Sequence, residues 1–148
     1  LADKPISIDM TDAKEIGPLD PGWYILSIAK FAYGTGPSGD RKVDCEFSVV
    51  KPEGINQKIF DSINLVNPNT KSRIINVLAG TGEFGTKEEI KANKKFQMPS
   101  GDEVIGMQFA ARIKTQEDKT GQYSDKSVVQ SCMTVAAYEE KQASAAAV

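Results

Sequence analysis

The sequence predicts an all-β fold: a five-stranded barrel carrying one or two short helices. Three observations predict it. Apolar residues alternate with period two in five separate runs. One stretch between the third and fourth runs, residues 72–78, repeats with helical period instead. Clusters of Gly, Pro, Asn and Asp punctuate the runs. A chain of 148 residues is long enough for one domain with a real core.

The elements follow in order. Residues 1–20 show no clear periodicity and are broken by Pro5, Gly17 and Pro18, with Pro21 just beyond, so they read as an arm or an extra edge segment. The barrel domain is expected over 21–138. Its first strand is 22–33, "GWYILSIAKFAY", with Trp23, Ile25, Ser27, Ala29 and Phe31 on one face and Tyr24, Leu26, Ile28 and Lys30 on the other. Both faces begin apolar, so both are expected to be covered there. After the glycine-rich loop 34–40, residues 41–50 alternate with Val43, Cys45, Phe47 and Val49 inward, the signature of a half-solvated antiparallel strand. Residues 57–66 form the third strand.

The polar corner "NPNT", 67–70, then ends the strand, because Pro68 excludes helix for the residue before it. Asn69 or Thr70 is expected to cap a helix that buries Ile74, Ile75, Val77 and Leu78 and stops near Gly80. "TKEE", 86–89, is a capping-box pattern for a second short helix. Residues 92–103 read as irregular. Strands four and five are expected at 104–115 and 126–138, joined by the hairpin loop 116–125, and 139–148 reads as an alanine-rich tail. Three strands, a helix and two strands is the order of a Greek-key barrel of the OB type, whose helix between strands three and four closes one end. A sandwich needs about seven strands; here there are five, or six if the arm pairs.

Composition narrows the function. Histidine is absent, which removes the commonest general base and transition-metal ligand. The two cysteines, Cys45 and Cys132, sit in strand-like runs and read as buried thiols; with no CxxC, no zinc site is expected. "GTGPSG" lacks the Lys-Ser/Thr of a phosphate-binding loop. The expectation is therefore a protein that is not an enzyme and uses no metal and no cofactor. No apolar run approaches the ~20 residues of a membrane helix. The net charge of −2 is unevenly spread: residues 1–20 carry five acidic against two basic side chains, and 139–148 two against one, which leaves 21–138 at +2.

Pro21-Gly22-Trp23-Tyr24 opens strand one, Ile63-Asn64-Leu65 with Asn67-Pro68 forms the corner, "LAGTG" ends the helix, and Gly106 stands at strand four. In this order and spacing, over roughly 18–135, the chain resembles a tailed-phage family of OB-fold-like single-stranded-DNA-binding proteins. The resemblance implies a protein of phage DNA replication or recombination, at work in the cytoplasm of an infected bacterial host.

An OB barrel binds a single strand across strands two and three, with the loops joining strands one and two and strands four and five as jaws. Phosphates call for cations and bases for flat rings. The first loop offers Tyr33, Arg41 and Lys42, with Lys30 just before it. The second offers Lys114, Lys119, Tyr123 and Lys126, with Arg112 at its root, and strand three adds Lys58 and Phe60. The bland counterpart is solvated loop lysines with one or two packing aromatics. Trp23 reads as core, and Asn64, Asn67 and Asn69 as corner chemistry. The expected partners are single-stranded DNA, further copies of the chain, and phage replication or recombination proteins, without a membrane. The alternative reading is a structural subunit of a virion or other assembly with no nucleic-acid role, which the acidic balance favours.

Overall fold

The computed structural model describes residues 4–11, 18–117, 119–121 and 125–146. It contains five strands, β1 (Gly22–Thr35), β2 (Arg41–Lys51), β3 (Lys58–Asn64), β4 (Gln108–Gln116) and β5 (Lys126–Met133), and four helices, α1 (Pro68–Thr81), α2 (Lys87–Ala92), α3 (Gly101–Val104) and α4 (Val135–Ala146). All strand pairs are antiparallel, in the order β3-β2-β1-β4-β5. The sheet is open. Its edges β3 and β5 come close to one another, but no ladder joins them among the described residues. This differs from a closed or nearly closed barrel: at the seam Arg73 of the helix after β3 reaches Asp61 and Ser62.

One face of the sheet carries the core. Leu26, Ile28 and Phe31 of β1, Val43, Cys45 and Phe47 of β2, Ile59 and Ile63 of β3, Phe109, Ala111 and Ile113 of β4 and Cys132 of β5 are all buried. Phe47 meets Phe109 edge-on, with ring centroids 5.2 Å apart at 84°, a favoured aromatic geometry. Phe31 belongs to this face, not to the face of Trp23 and Ile25 where alternation placed it. The reason is the register shift in β1 between Ile28 and Lys30. It leaves Ala29 as an extra residue and reverses the parity of everything after it.

Helix α1 covers the core face with Ile74, Val77 and Leu78. It lies so close that a Cβ on Gly80 would stand 3.1 Å from Phe109 Cβ and 3.2 Å from Cys132 Cβ. The helix therefore runs through Gly80 and ends at Gly82, whose φ of 78° is the left-handed conformation of a helix C-cap. At its start Asn67, not Asn69 or Thr70, is the cap: its side chain accepts the Asn69 N–H. The Asn64 carboxamide oxygen accepts from the N–H groups of Val66 and Asn67, and the Thr70 hydroxyl donates back to the Asn64 carbonyl. The polar corner is thus a hydrogen-bonded bracket that ends β3 and starts α1. The capping box of α2 forms as the sequence predicts, between Thr86 and Glu89.

Two boundaries differ from expectation. Residues 101–104 are the short helix α3 and β4 begins only at Gln108, so Ile105 is exposed at a turn and not in a strand. Strand β5 stops at Met133. Thr134 Oγ1 then accepts the Ala137 N–H at 3.1 Å, and the chain continues as α4, through residues that read as strand and tail. Helix α4 packs on β4, and Tyr138 lies against Trp23 with centroids 5.8 Å apart. Ile25 and Ala110, on the sheet face opposite the core, are buried there. The double coverage that the first strand demanded comes from α4.

Candidate nucleic-acid interface

The register fixes where the predicted site residues stand. Cross-strand partners share a face. Lys30, Glu46 and Phe60 form one row across β1, β2 and β3; Gly34, Lys42 and Asn64 form another; Ser48 and Lys58 pair in a third. Lys30, Lys42, Lys58 and Phe60 therefore share the outer face, and Phe60 is 66% exposed. Two carboxylates lie among them. Asp44 pairs with Lys42 at 3.2 Å. A Ser62 hydrogen bond, then Lys42, hold its carboxyl below the usual range. The middle of this face mixes the cations Lys30, Lys42 and Lys58 with the carboxylates Asp44 and Glu46.

The two hairpins bracket that face and do not form one mouth. Gly22 pairs with Ile113 beside the β4–β5 hairpin, while Thr35, at the other end of β1, pairs with Arg41 beside the β1–β2 hairpin. At the β1–β2 end, Tyr33 and Arg41 line a groove of about 650 Å³ together with Leu65, Phe96 and Met98. The Tyr33 ring meets Phe31 edge-on at 5.6 Å. Its hydroxyl donates to the Pro99 carbonyl, and burial raises its pKa above the ordinary tyrosine value. Lys42 lays its stem along the hairpin, its Cε 3.6 Å from where a Gly34 Cβ would be.

At the other end the cations gather along the open seam. Lys58, Phe60 and Lys126 line one groove of about 610 Å³ with Pro18. Lys114 and Lys119 line a second, of about 700 Å³, with Arg73. Arg73 bridges the seam from α1: Nη1 stands 3.5 Å from Asp61 Oδ1 and Nη2 reaches the Ser62 carbonyl at 3.4 Å, while Nε is buried without a partner. Burial raises the Asp61 pKa, and Arg73 and Lys126 oppose the shift. Arg112 stands apart from both groups, between Trp23 and Ser131 on the face α4 covers. Tyr123 lies outside the described residues.

Sequence reasoning missed Arg73, Phe96 and Met98. Arg73 had a signal, a cation one turn into the helix that follows the third strand. Phe96 and Met98 had none, because their segment has no periodicity. Both thiols are free and buried, and burial pushes each up to about 12. Among the described residues no group of three or more His, Cys, Asp or Glu is placed to hold a metal, and no helix is long and apolar enough to cross a membrane. No protein-family model matches the chain, and no curated protein matches its sequence.

Proposed function

We propose that this chain is a non-enzymatic single-stranded-DNA-binding protein that coats exposed strands without sequence preference, in phage replication or recombination in an infected bacterial cytoplasm. The observation that carries the reading is the β1–β2 groove. It joins Tyr33 and Arg41 to Phe96 and Met98, two flat rings and a thioether beside a guanidinium, in a space of about 650 Å³. Stacking surfaces next to cations are what sequence-tolerant single-strand binding requires. Topology supports it too. In the order β3-β2-β1-β4-β5 the fourth strand returns beside the first, which is a Greek-key order. Curling that sheet until β3 meets β5 gives an OB-like barrel with α1 at the junction.

The test is fluorescence anisotropy of a labelled oligo-dT at low and high salt. Tyr33→Ala and Phe96→Ala should each cost about 1–3 kcal/mol of binding with little change in salt slope. Tyr33→Phe keeps the ring and should bind nearly as the parent does. Arg41→Ala should flatten the slope of log K against log salt by about 0.7 and weaken all sequences alike, because phosphates carry no sequence code. Absence of binding at low salt sinks the proposal. The case then passes to a structural subunit of an assembly, a reading favoured by the exposed Ile6, Ile8 and Met10 of the arm.

A further inference from the structure

Residues 5–11, "PISIDMT", carry a strand pattern and have no strand partner. Ile6, Ile8 and Met10 recur at every second position and are 79%, 65% and 69% exposed. Ser7, Asp9 and Thr11 alternate with them, and none of these residues joins the sheet. Three large apolar side chains in one short segment, which ends in a turn where Thr11 donates to the Asp9 carboxylate, are costly in water unless something covers them.

The same molecule has a strand edge that is open in part. Among the described residues β3 pairs only with β2, and Arg73 covers its far end at Asp61 and Ser62. The Ser62 carbonyl points away from β2, toward Arg73. Backbone groups of alternate residues share an edge, so those of Lys58 and Phe60 point the same way, into the groove of about 610 Å³ that Pro18, Ile59, Phe60 and Lys126 line. In charge, the segment 5–11 carries one carboxylate, Asp9, and no cation, and the groove carries Lys58 and Lys126 against one carboxylate, Asp125.

We infer that the arm of one copy adds as an extra strand to the Lys58–Phe60 edge of a second copy. Ile6, Ile8 and Met10 face inward, in line with Ile59. Asp9 faces outward, beside Lys58 and Lys126. The occupant is a second copy, because the chain's own arm stands off. Leu19 is fixed at the mouth of this groove, donating its N–H to Ser127 Oγ at 2.8 Å, yet Ile6, Ile8 and Met10 remain in solvent. Self-association through a donated strand is an economical form of β-augmentation.

The experiment is sedimentation equilibrium on the full chain without nucleic acid, with two variants made only at exposed positions. The arm variant is Ile6→Ser/Ile8→Ser/Met10→Ser, and the edge variant is Lys58→Glu/Phe60→Ser/Lys126→Glu. The parent should associate, and each variant alone should show a dissociation constant raised at least ~100-fold, the scale set by losing a small hydrophobic cluster. Near-ultraviolet circular dichroism should show both variants folded. An equal mixture should recover part of the association, since the intact edge of one accepts the intact arm of the other. A monomeric parent, undiminished association by either variant, or a mixture no better than its components overturns the inference; the last two point to another interface and the first to an arm docked on its own chain or on nothing.

Discussion

Gly101→Ala isolates a contact on which the β1–β2 groove depends. A Cβ at Gly101 would stand 2.4 Å from the Phe31 carbonyl oxygen. Carbon and carbonyl oxygen normally approach no closer than about 3.3 Å, so the two backbones must part by about 1 Å at constant direction. β1 is the central strand, paired to β2 beside this point through Phe31 and Cys45. The yielding partner is therefore α3 with the segment before it. That segment brings Phe96 and Met98 to the groove and offers the Pro99 carbonyl to Tyr33. Alanine gains up to about 1 kcal/mol over glycine in helix propensity and unfolded-state entropy. Against this stand overpacking, about 1–3 kcal/mol, and a weakened Tyr33 hydrogen bond, about 0.5–1.5 kcal/mol. The net expectation is a loss of about 1–3 kcal/mol, or roughly 3–10 °C in Tm for a chain of this size.

Thermal and urea unfolding followed by Trp23 fluorescence measure it, with Gly34→Ala as the control. Gly34 has only Lys42 Cε, at 3.6 Å, near its missing Cβ, so that change should stay within about 0.5 kcal/mol. The proposed DNA site should weaken in Gly101→Ala. A Gly101→Ala protein as stable as the parent would refute the reasoning, since it would show that α3 moves freely against β1.

Three further outcomes are expected. Cys45 and Cys132, with thiols pushed up to about 12, should react with a thiol reagent at pH 8 only as fast as the protein opens, and fully once it is unfolded; prompt native labelling of both would contradict the buried assignment. Asn67→Ala should cost about 1 kcal/mol by removing the cap of α1, read as a shifted urea midpoint at constant slope; an unchanged midpoint would mean that Asn64 and Thr70 hold the corner alone. For Asp61, the folded pKa lies above the unfolded one, chiefly through burial. Its stabilising contribution is thus fully present below the unfolded value and lost as pH rises through the folded value. Asp61→Asn should flatten that part of the Tm-against-pH curve and hold stability at pH 7, whereas a large loss at pH 7 would make the Arg73 pair net stabilising.

Much of the fold was legible because burial imposes period. Val43, Cys45 and Phe47 alternate on β2, Ile74, Val77 and Leu78 recur on α1, and all are buried, while Val49 and Ile75, expected with them, are only partly buried. Legibility failed where one local interaction reset the pattern. The extra residue at Ala29 turned Phe31 into the core. Thr134 capped a helix inside a run that reads as continuous strand, and the alanine-rich stretch after it has the best intrinsic propensity to continue one. The site was half legible. Tyr33 and Arg41 meet because a hairpin joins their strands, which sequence order alone implies. Their partners Phe96 and Met98 come from a segment with no repeat, so only the packing of α3 on β1 brings them there.

The open seam follows from the same chemistry. To pair β3 with β5, the edge of β3 would have to accept a strand along its whole length. Yet Asp61 lies on the inner face, between buried Ile59 and Ile63, and its carboxylate needs a cation. Arg73 supplies one from α1 and occupies the Ser62 carbonyl as it does so. A charged residue turned inward on an edge strand is a device against indiscriminate pairing. Here it acts on only part of β3: it covers the edge near Asp61 and Ser62 and leaves Lys58 and Phe60 open. Removing it should widen what the edge accepts. Asp61→Leu with Arg73→Leu, which replaces the pair by apolar groups, should keep the fold while raising self-association that no longer depends on the arm. Sedimentation of that double variant in the Ile6→Ser/Ile8→Ser/Met10→Ser background measures the effect, and a monomer there would show that the ion pair guards nothing.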